Sequence, residues 1–342
     1  MANKRVYYAV HAVAIASEGT TAYTVVHGCQ SLGDTTNFTI DQVYELGKLA
    51  IYANIEGVPE VELTLEKVLD GHPLMYHLAT SGATDGSLAG RQNKRCNLVN
   101  NVCVDTQLAV SGTPIAQAEY SGLYVASLGY TFDINGPFKE NITLVGNKKQ
   151  WLINPDTPSG TPRTITGGFT PTDAPLAVEG VNMRQHFDVV NTRFPKQIAG
   201  VNSSTGVING KDAQGFSNVH VQSVKVNVSL GRTGIFELGL KGPYFRFAQF
   251  PAEVTCEITI MDIAGDEVGC LENATANTVD EAIFIQTTEG TKIDLGTYAR
   301  LRSVSQNGGD AGQSSNATIT YRYTTYSDML VRHPADPTVA LR

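Results

Sequence analysis

Charged side chains are scarce in this chain. Asp, Glu, Lys and Arg supply 17% of its 342 residues, against about 25% in ordinary soluble domains. Such groups mostly cover solvated surface, so the shortage suggests that much of this surface faces protein. Basic residues are the scarcer sign, 25 against 33 acidic, for a net charge of -8. That balance argues against tight duplex binding, which needs cations to displace counterions from phosphate. Cysteine is sparse too: Cys29, Cys96, Cys103, Cys256 and Cys270 contain no CxxC pair. They offer no basis for a zinc site or a redox dithiol and read as buried small hydrophobes in a reducing compartment. No apolar run approaches the roughly 18 residues of a membrane-spanning helix. The run at 6–16, behind Lys4 and Arg5, has the layout of a secretion signal. Tyr7, Tyr8 and His11 interrupt it, and it reads as a first strand.

Catalytic signatures are also missing. There is no G-x-S-x-G, HExxH, Walker loop or GxGxxG after a strand, so neither an enzyme nor a bound cofactor or metal is expected. His72 and His77 stand five apart, too wide for one helix face. Arg91, Lys94 and Arg95 lack the interleaved aromatics of a nucleic-acid site and read as a solvated loop.

What is present is period-two alternation. Val224, Val226, Val228 and Leu230 alternate with Lys225, Asn227 and Ser229; Val254, Cys256, Ile258 and Ile260 with Thr255, Glu257 and Thr259; Val61, Leu63 and Leu65 with Glu62, Thr64 and Glu66. Strands of this kind bury one face and expose the other, as in antiparallel sheets. Two hairpins follow, 128–134 turning at Asn135-Gly136 into 141–145, and 299–306 turning at Asn307-Gly308-Gly309 into 318–323. One stretch, 41–53, reads as helix, because Val43, Leu46, Leu49 and Ala50 share a helical face behind Asp41 as N-cap. The fold expected is mainly β, with one short helix flanking each unit. Between about 151 and 215 the texture changes, with Pro155, Pro158, Pro162, Pro171 and Pro175 mixed with Gly, Ser and Thr as in a long connection. The chain therefore divides into a first β domain at 1–150, a linker or extended insertion at 151–215, and a second β domain at 216–342.

The two β domains look like copies. Residues 30–59 laid over 222–251 match Gln30-Ser31 with Gln222-Ser223, and Val43-Tyr44-Glu45-Leu46-Gly47 with Ile235-Phe236-Glu237-Leu238-Gly239. Tyr52 then meets Tyr244 and Pro59 meets Pro251. After one inserted residue, Glu60-Val61 aligns with Glu253-Val254, and Asn141-Ile142-Thr143 resembles Asn316-Ala317-Thr318. The repeat places a counterpart of the 41–53 helix at 233–246. It also makes Glu45 and Glu237 capping or recurring interface residues rather than a carboxylate pair for acid–base work.

The stretches 37–71, 129–151 and 223–256 resemble tail tube proteins of long-tailed bacteriophages, and the likeness is weakest over 151–215. The resemblance implies duplicated antiparallel β-sandwich or barrel tail-tube domains and a structural role in the virion tail, in a protein made in the host cytoplasm. Rings would stack into a hollow tube through which genomic DNA passes without specific binding, with sheath, tape-measure and baseplate proteins as further partners and no membrane. The chain is about twice as long as a single-domain member, which fits two fused tube domains and a homotrimeric ring of six similar units. Glu62, Thr64, Glu66, Thr255, Glu257 and Thr259 are then candidates for a lumen-facing or interface surface, whose acidic bias would repel phosphate, or else for a face turned out toward a sheath. Tyr44, Glu45, Gly47, Tyr52, Pro59, Phe236, Glu237, Gly239, Tyr244 and Pro251 are candidates for a repeated interface motif. Another virion component (sheath, baseplate or capsid-decorating protein) and a soluble carbohydrate-binding sandwich are the other readings. The one tryptophan, Trp151, is poorly placed for a sugar platform.

Overall fold

The computed structural model describes residues 6–83, 85–103, 109, 114–153, 162–166, 174–198, 200–201, 205–208, 219–262, 280–308 and 316–334. Much of the expected connection at 151–215, together with Cys270 and Gly309, lies outside the described residues.

The protein is mainly β, and its alternating runs form strands. Eight of them lie side by side, every neighbour antiparallel, in the order β3 (Cys29–Asn37), β6 (Glu60–Val68), β9 (Lys139–Gly146), β8 (Ala116–Asp133), β12 (Val221–Ser229), β15 (Glu253–Met261), β19 (Thr318–Tyr326) and β18 (Arg300–Asn307). The long strand β8 belongs to two sheets. Its first half pairs with β7 (Cys96–Val102) and β10 (Lys148–Ile153), and β7 continues through β1 (His11–Ser17) and β2 (Tyr23–Val25) to β11 (Ile165–Thr166). Gly122, at φ +66°, sits where β8 passes from one sheet to the other.

Alternation decides which face of the large sheet is covered. Leu63, Leu65, Ile142, Leu144, Leu128, Tyr130, Val224, Val226, Cys256, Ile258, Ile319 and Tyr321 form one buried layer. Over it pack helix α1 (Met75–Ala79), Val13, Ile15 and Leu98 from the second sheet, and apolar residues of β16 (Phe284–Gln286), β17 (Lys292–Asp294) and β20 (Leu330–Arg332). A second short helix, α2 (Leu88–Arg91), is capped by Ser87, whose hydroxyl accepts from Gly90 N at 3.0 Å. Arg91 is not the solvated side chain its sequence context suggests. It is buried and donates to Thr80 Oγ1 at 2.8 Å.

Two charged side chains, Glu140 of β9 and Lys67 of β6, are buried on the core side of the sheet. Glu140 accepts from Met75 N (2.6 Å), Tyr76 N (3.1 Å) and Tyr130 Oη (3.1 Å), so it satisfies the first amides of α1. Burial raises its pKa above the ordinary carboxyl range, the donors only partly offsetting it. Lys67 is fully buried and bonds Asp70 at 2.5 Å and the carbonyl of Val68 at 3.0 Å.

The eight-stranded sheet contains one arrangement twice. Moved by 192 residues, β3 falls on β12; moved by 193, β6 falls on β15. The bulge between Cys29 and Ser31 lands on the one between Val221 and Ser223, and that between Val125 and Ser127 on the one between Leu301 and Ser303. Each set runs in the same order, β3-β6-β9-β8 and β12-β15-β19-β18, and β8 of the first set pairs with β12 of the second. The pairings equate Lys139 with Thr318, so Asn141 is the counterpart of Thr320 and not of Asn316. The sequence match of that strand is four residues out of register.

The expected helices at 41–53 and 233–246 are corrected by the structure. The first stretch is a hairpin of β4 (Ile40–Tyr44) and β5 (Ile51–Glu56), the second a hairpin of β13 (Arg232–Ile235) and β14 (Phe245–Ala248). Pairing is the same in both: Ile40 opposes Glu56 as Arg232 opposes Ala248. The short helices that do form, α1 and α2, lie elsewhere and only in the first half among the described residues.

Candidate assembly surfaces

The repeated motif builds the turns of these hairpins. The amide of Lys48 donates to the carbonyl of Glu45 at 3.1 Å, and that of Leu240 to Glu237 at 3.4 Å. Gly47 and Gly239 occupy the third position with φ of +88° and +95°. A type II turn requires positive φ there, which is why glycine recurs. A helical reading of Val43, Leu46, Leu49 and Ala50 supposes a core for them to face, and none lies beneath. Gly47→Ala and Gly239→Ala place a Cβ in open space, so only backbone strain of about 1 kcal/mol is expected. Amide exchange in the altered hairpin should quicken about fivefold, with the rest of the protein unchanged.

Both turns expose their apolar residues. Leu46 and Leu238 are 103% and 104% accessible, and Tyr44, Tyr52, Phe236 and Tyr244 are exposed too. Glu45 pairs with Lys48, and Tyr44 Oη donates to Gln42 at 2.6 Å. Pro59 and Pro251 sit just ahead of β6 and β15, at the base of each hairpin.

Away from their tips the hairpins differ. The second is seated on the first set of strands. Arg232 donates to the carbonyls of Val125 (2.7 Å) and Gln92 (2.8 Å), Arg246 bridges Asn147 and Glu60 (3.0 Å), and Phe245 meets Tyr124 edge-on at 5.5 Å. Burial leaves the Arg232 guanidinium less basic, near a pKa of about 10. The first hairpin has no such seat: every residue of β4 and β5 is exposed. At the root of the first hairpin Phe38 is 73% accessible, whereas its counterpart Leu230 is 2% accessible.

The outermost strands are bare on the same logic. Among the described residues nothing pairs with β3 beyond β6, or with β18 beyond β19. Both strands are largely exposed, although their counterparts β12 and β8 are interior.

The six alternating positions singled out from the sequence lie on one face of the large sheet, the one opposite the core. Thr64 opposes Thr143, Glu66 opposes Asn141, Thr255 opposes Asn227, and Thr259 bonds Thr320 at 3.0 Å. A shallow groove of about 510 Å³ crosses this face, its lining including Thr64, Glu66, Asn141, Thr143, Asn227, Glu253 and Thr255. Its acidic bias is smaller than the strands alone suggest. Glu66 is bridged to Lys139 at 2.8 Å, Glu257 has Arg322 at 4.0 Å, and Lys225 opposes Glu257. The surface is hydroxyl- and amide-rich, with little net charge. Sequence reasoning did not single out Phe38, Arg232 or Arg246; the arginines stand out only once their hairpin is seen to lie on the other set.

Among the described residues no cluster of His, Cys, Asp and Glu could hold a metal ion, and no helix is long and apolar enough to cross a membrane. No protein-family model and no curated protein matches the sequence. Among solved structures, a chain of the anti-feeding prophage baseplate (cryo-EM, 6-fold symmetrised) is similar at a TM-score of 0.34 and 12% identity, covering 46% of this chain and 100% of its own. A chain of the anti-feeding prophage cap, which terminates that particle's tube, is similar at 0.33 and 14%, covering 44% of this chain and 93% of its own.

Proposed function

We propose that this chain is a virion structural protein that closes edge to edge into rings, and that stacked rings form a hollow tail tube for the passage of DNA. One observation carries the reading: the joint between β8 and β12 is a finished example of the contact that β18 and β3 lack among the described residues. Repeating it between copies pairs β18 of one chain with β3 of the next. The first hairpin then seats on the neighbour's second set as the second hairpin seats within the chain. Closing the sheet this way removes its exposed edges.

Two fused copies of one unit fit a ring of three chains, bringing twenty-four strands from the eight in each large sheet. At about 4.8 Å between strands and a tilt near 40°, the backbone circle is about 48 Å across. The uncovered polar face lines the hole. Such a lining gives phosphate no excess of cations to hold it, because Lys139, Lys225 and Arg322 each stand beside a carboxylate, so DNA slides. The exposed, unseated first hairpin and the bare edges favour this reading over a monomeric carbohydrate-binding sandwich, which has no use for either.

The internal joint fixes the register. Ser127 opposes Ser229, and their counterparts are Ser303 and Asn37. Oxidised Asn37→Cys/Ser303→Cys protein should give covalent dimers and trimers and nothing larger, while the parent protein gives none. Monomers alone, or a ladder past three chains, would overturn the three-chain ring.

A further inference from the structure

The hairpins leave the large sheet where β3 and β12 end. At the opposite margin, where β8 ends and β9 and β12 begin, lies a pocket of about 240 Å³. Nine-residue strands put the two margins about 30 Å apart. Phe132, Phe138 and Phe187 form a cluster of edge-on rings, with centroids 5.1, 5.9 and 6.3 Å apart. Ile134, Val189 and Val221 extend the apolar lining, and Arg184 and His220 also line the pocket. Asp133 is there too, but its carboxylate accepts from Asn135 N in its own turn at 2.8 Å. The volume exceeds the roughly 150 Å³ that holds a benzene molecule. Among the described residues the second set lacks the rings that build it, because the counterparts of Phe132 and Phe138 there are Gly308 and Ala317.

We propose that this pocket receives the tip of the second hairpin, Phe236-Glu237-Leu238, from a chain in the adjacent ring. The inference rests on the ring reading above and names the contact that stacks one ring on the next. The tip presents two large apolar side chains beside a carboxylate, and the pocket offers an apolar hollow beside a guanidinium. The first hairpin suits it less: Tyr44 is engaged with Gln42 and Glu45 with Lys48. Knob and hollow lie at opposite margins of each chain, so the contact does not close and rings propagate into a filament.

The test is electron microscopy with mass measurement of the assembled protein. Leu238 touches nothing within its own chain's core, so Leu238→Glu should fold and form rings of unchanged mass, with the stacked fraction down about tenfold or more. Leu46→Glu should stack normally. Arg184→Glu should lose stacking, and Arg184→Glu with Glu237→Arg should regain it. Normal tubes from Leu238→Glu, loss of stacking in Leu46→Glu, or no rescue by the charge exchange would overturn the inference while leaving the rings intact. Absence of rings in the unaltered protein would instead defeat the ring reading.

Discussion

Phe38→Asp is expected to leave a folded chain that no longer forms rings. Phe38 stands where the chain leaves β3, mostly in water. Its counterpart Leu230 shows what the position is for. Leu230 is buried at the joint between the two sets, and its amide donates to the carbonyl of Ala126 at 2.8 Å. In the proposed ring, the corresponding carbonyl is that of Arg302 in the neighbouring chain. Covering a phenylalanine there contributes about 1.5–3 kcal/mol, and an aspartate in the same place adds the cost of an unpaired buried charge. Three joints per ring repeat the penalty, so closure should fail at concentrations where the parent protein is fully assembled. The effect within one chain is small, because an exposed side chain loses little on replacement. Sedimentation velocity should show a single-chain species with an unaltered melting temperature. Persistent rings would remove Phe38 from the joint.

The largest effect on the single chain is expected from Glu140. Its carboxylate holds the amides of Met75 and Tyr76 and the hydroxyl of Tyr130, all buried. Glu140→Ala leaves three donors unsatisfied under the main core, and a loss of about 3–5 kcal/mol is expected. Calorimetry of the single-chain Phe38→Asp background measures it without interference from assembly. The carboxyl also gives a pH signature. Its folded pKa lies above the unfolded one. As pH rises through the ordinary carboxyl range, the unfolded chain releases a proton that the folded chain retains, so stability falls across that window. Glu140→Gln has no such proton. The melting temperature of the parent relative to Glu140→Gln should therefore be higher at pH 4 than at pH 7, and a difference of opposite slope would refute the assignment.

The strands were legible because their cause is local. In 61–66, 224–230 and 254–260 a two-residue period matches one wet and one dry face, and Asn135-Gly136 marks its own turn. The hairpins at 40–56 and 232–248 were misread for a physical reason. Val43, Leu46, Leu49 and Ala50 fall at helical spacing by coincidence, and their apolar character answers to no surface within the chain. Period analysis presumes that hydrophobic residues point at the chain's own core. Gly47 and Gly239 were the available clue, since a repeated glycine points to backbone geometry before it points to packing. The strand register around Asn141 slipped because Asn-x-Thr recurs often in this composition, whereas hydrogen bonding and bulges fix position. Glu140 could not be picked out at all: its partners on α1 lie more than sixty positions away.

Both hairpins spring from corresponding strand ends, and their sets point the same way within the sheet. In the proposed ring every chain would therefore present its tips on one rim and its hollows on the other, and a tube of such rings would have a head and a foot. The two termini are chemically unlike. A nucleating complex must supply one half of the contact, and whatever stops growth must cap the other. Length and direction of such a tube would then be decided by two different partners, each fitted to one rim alone.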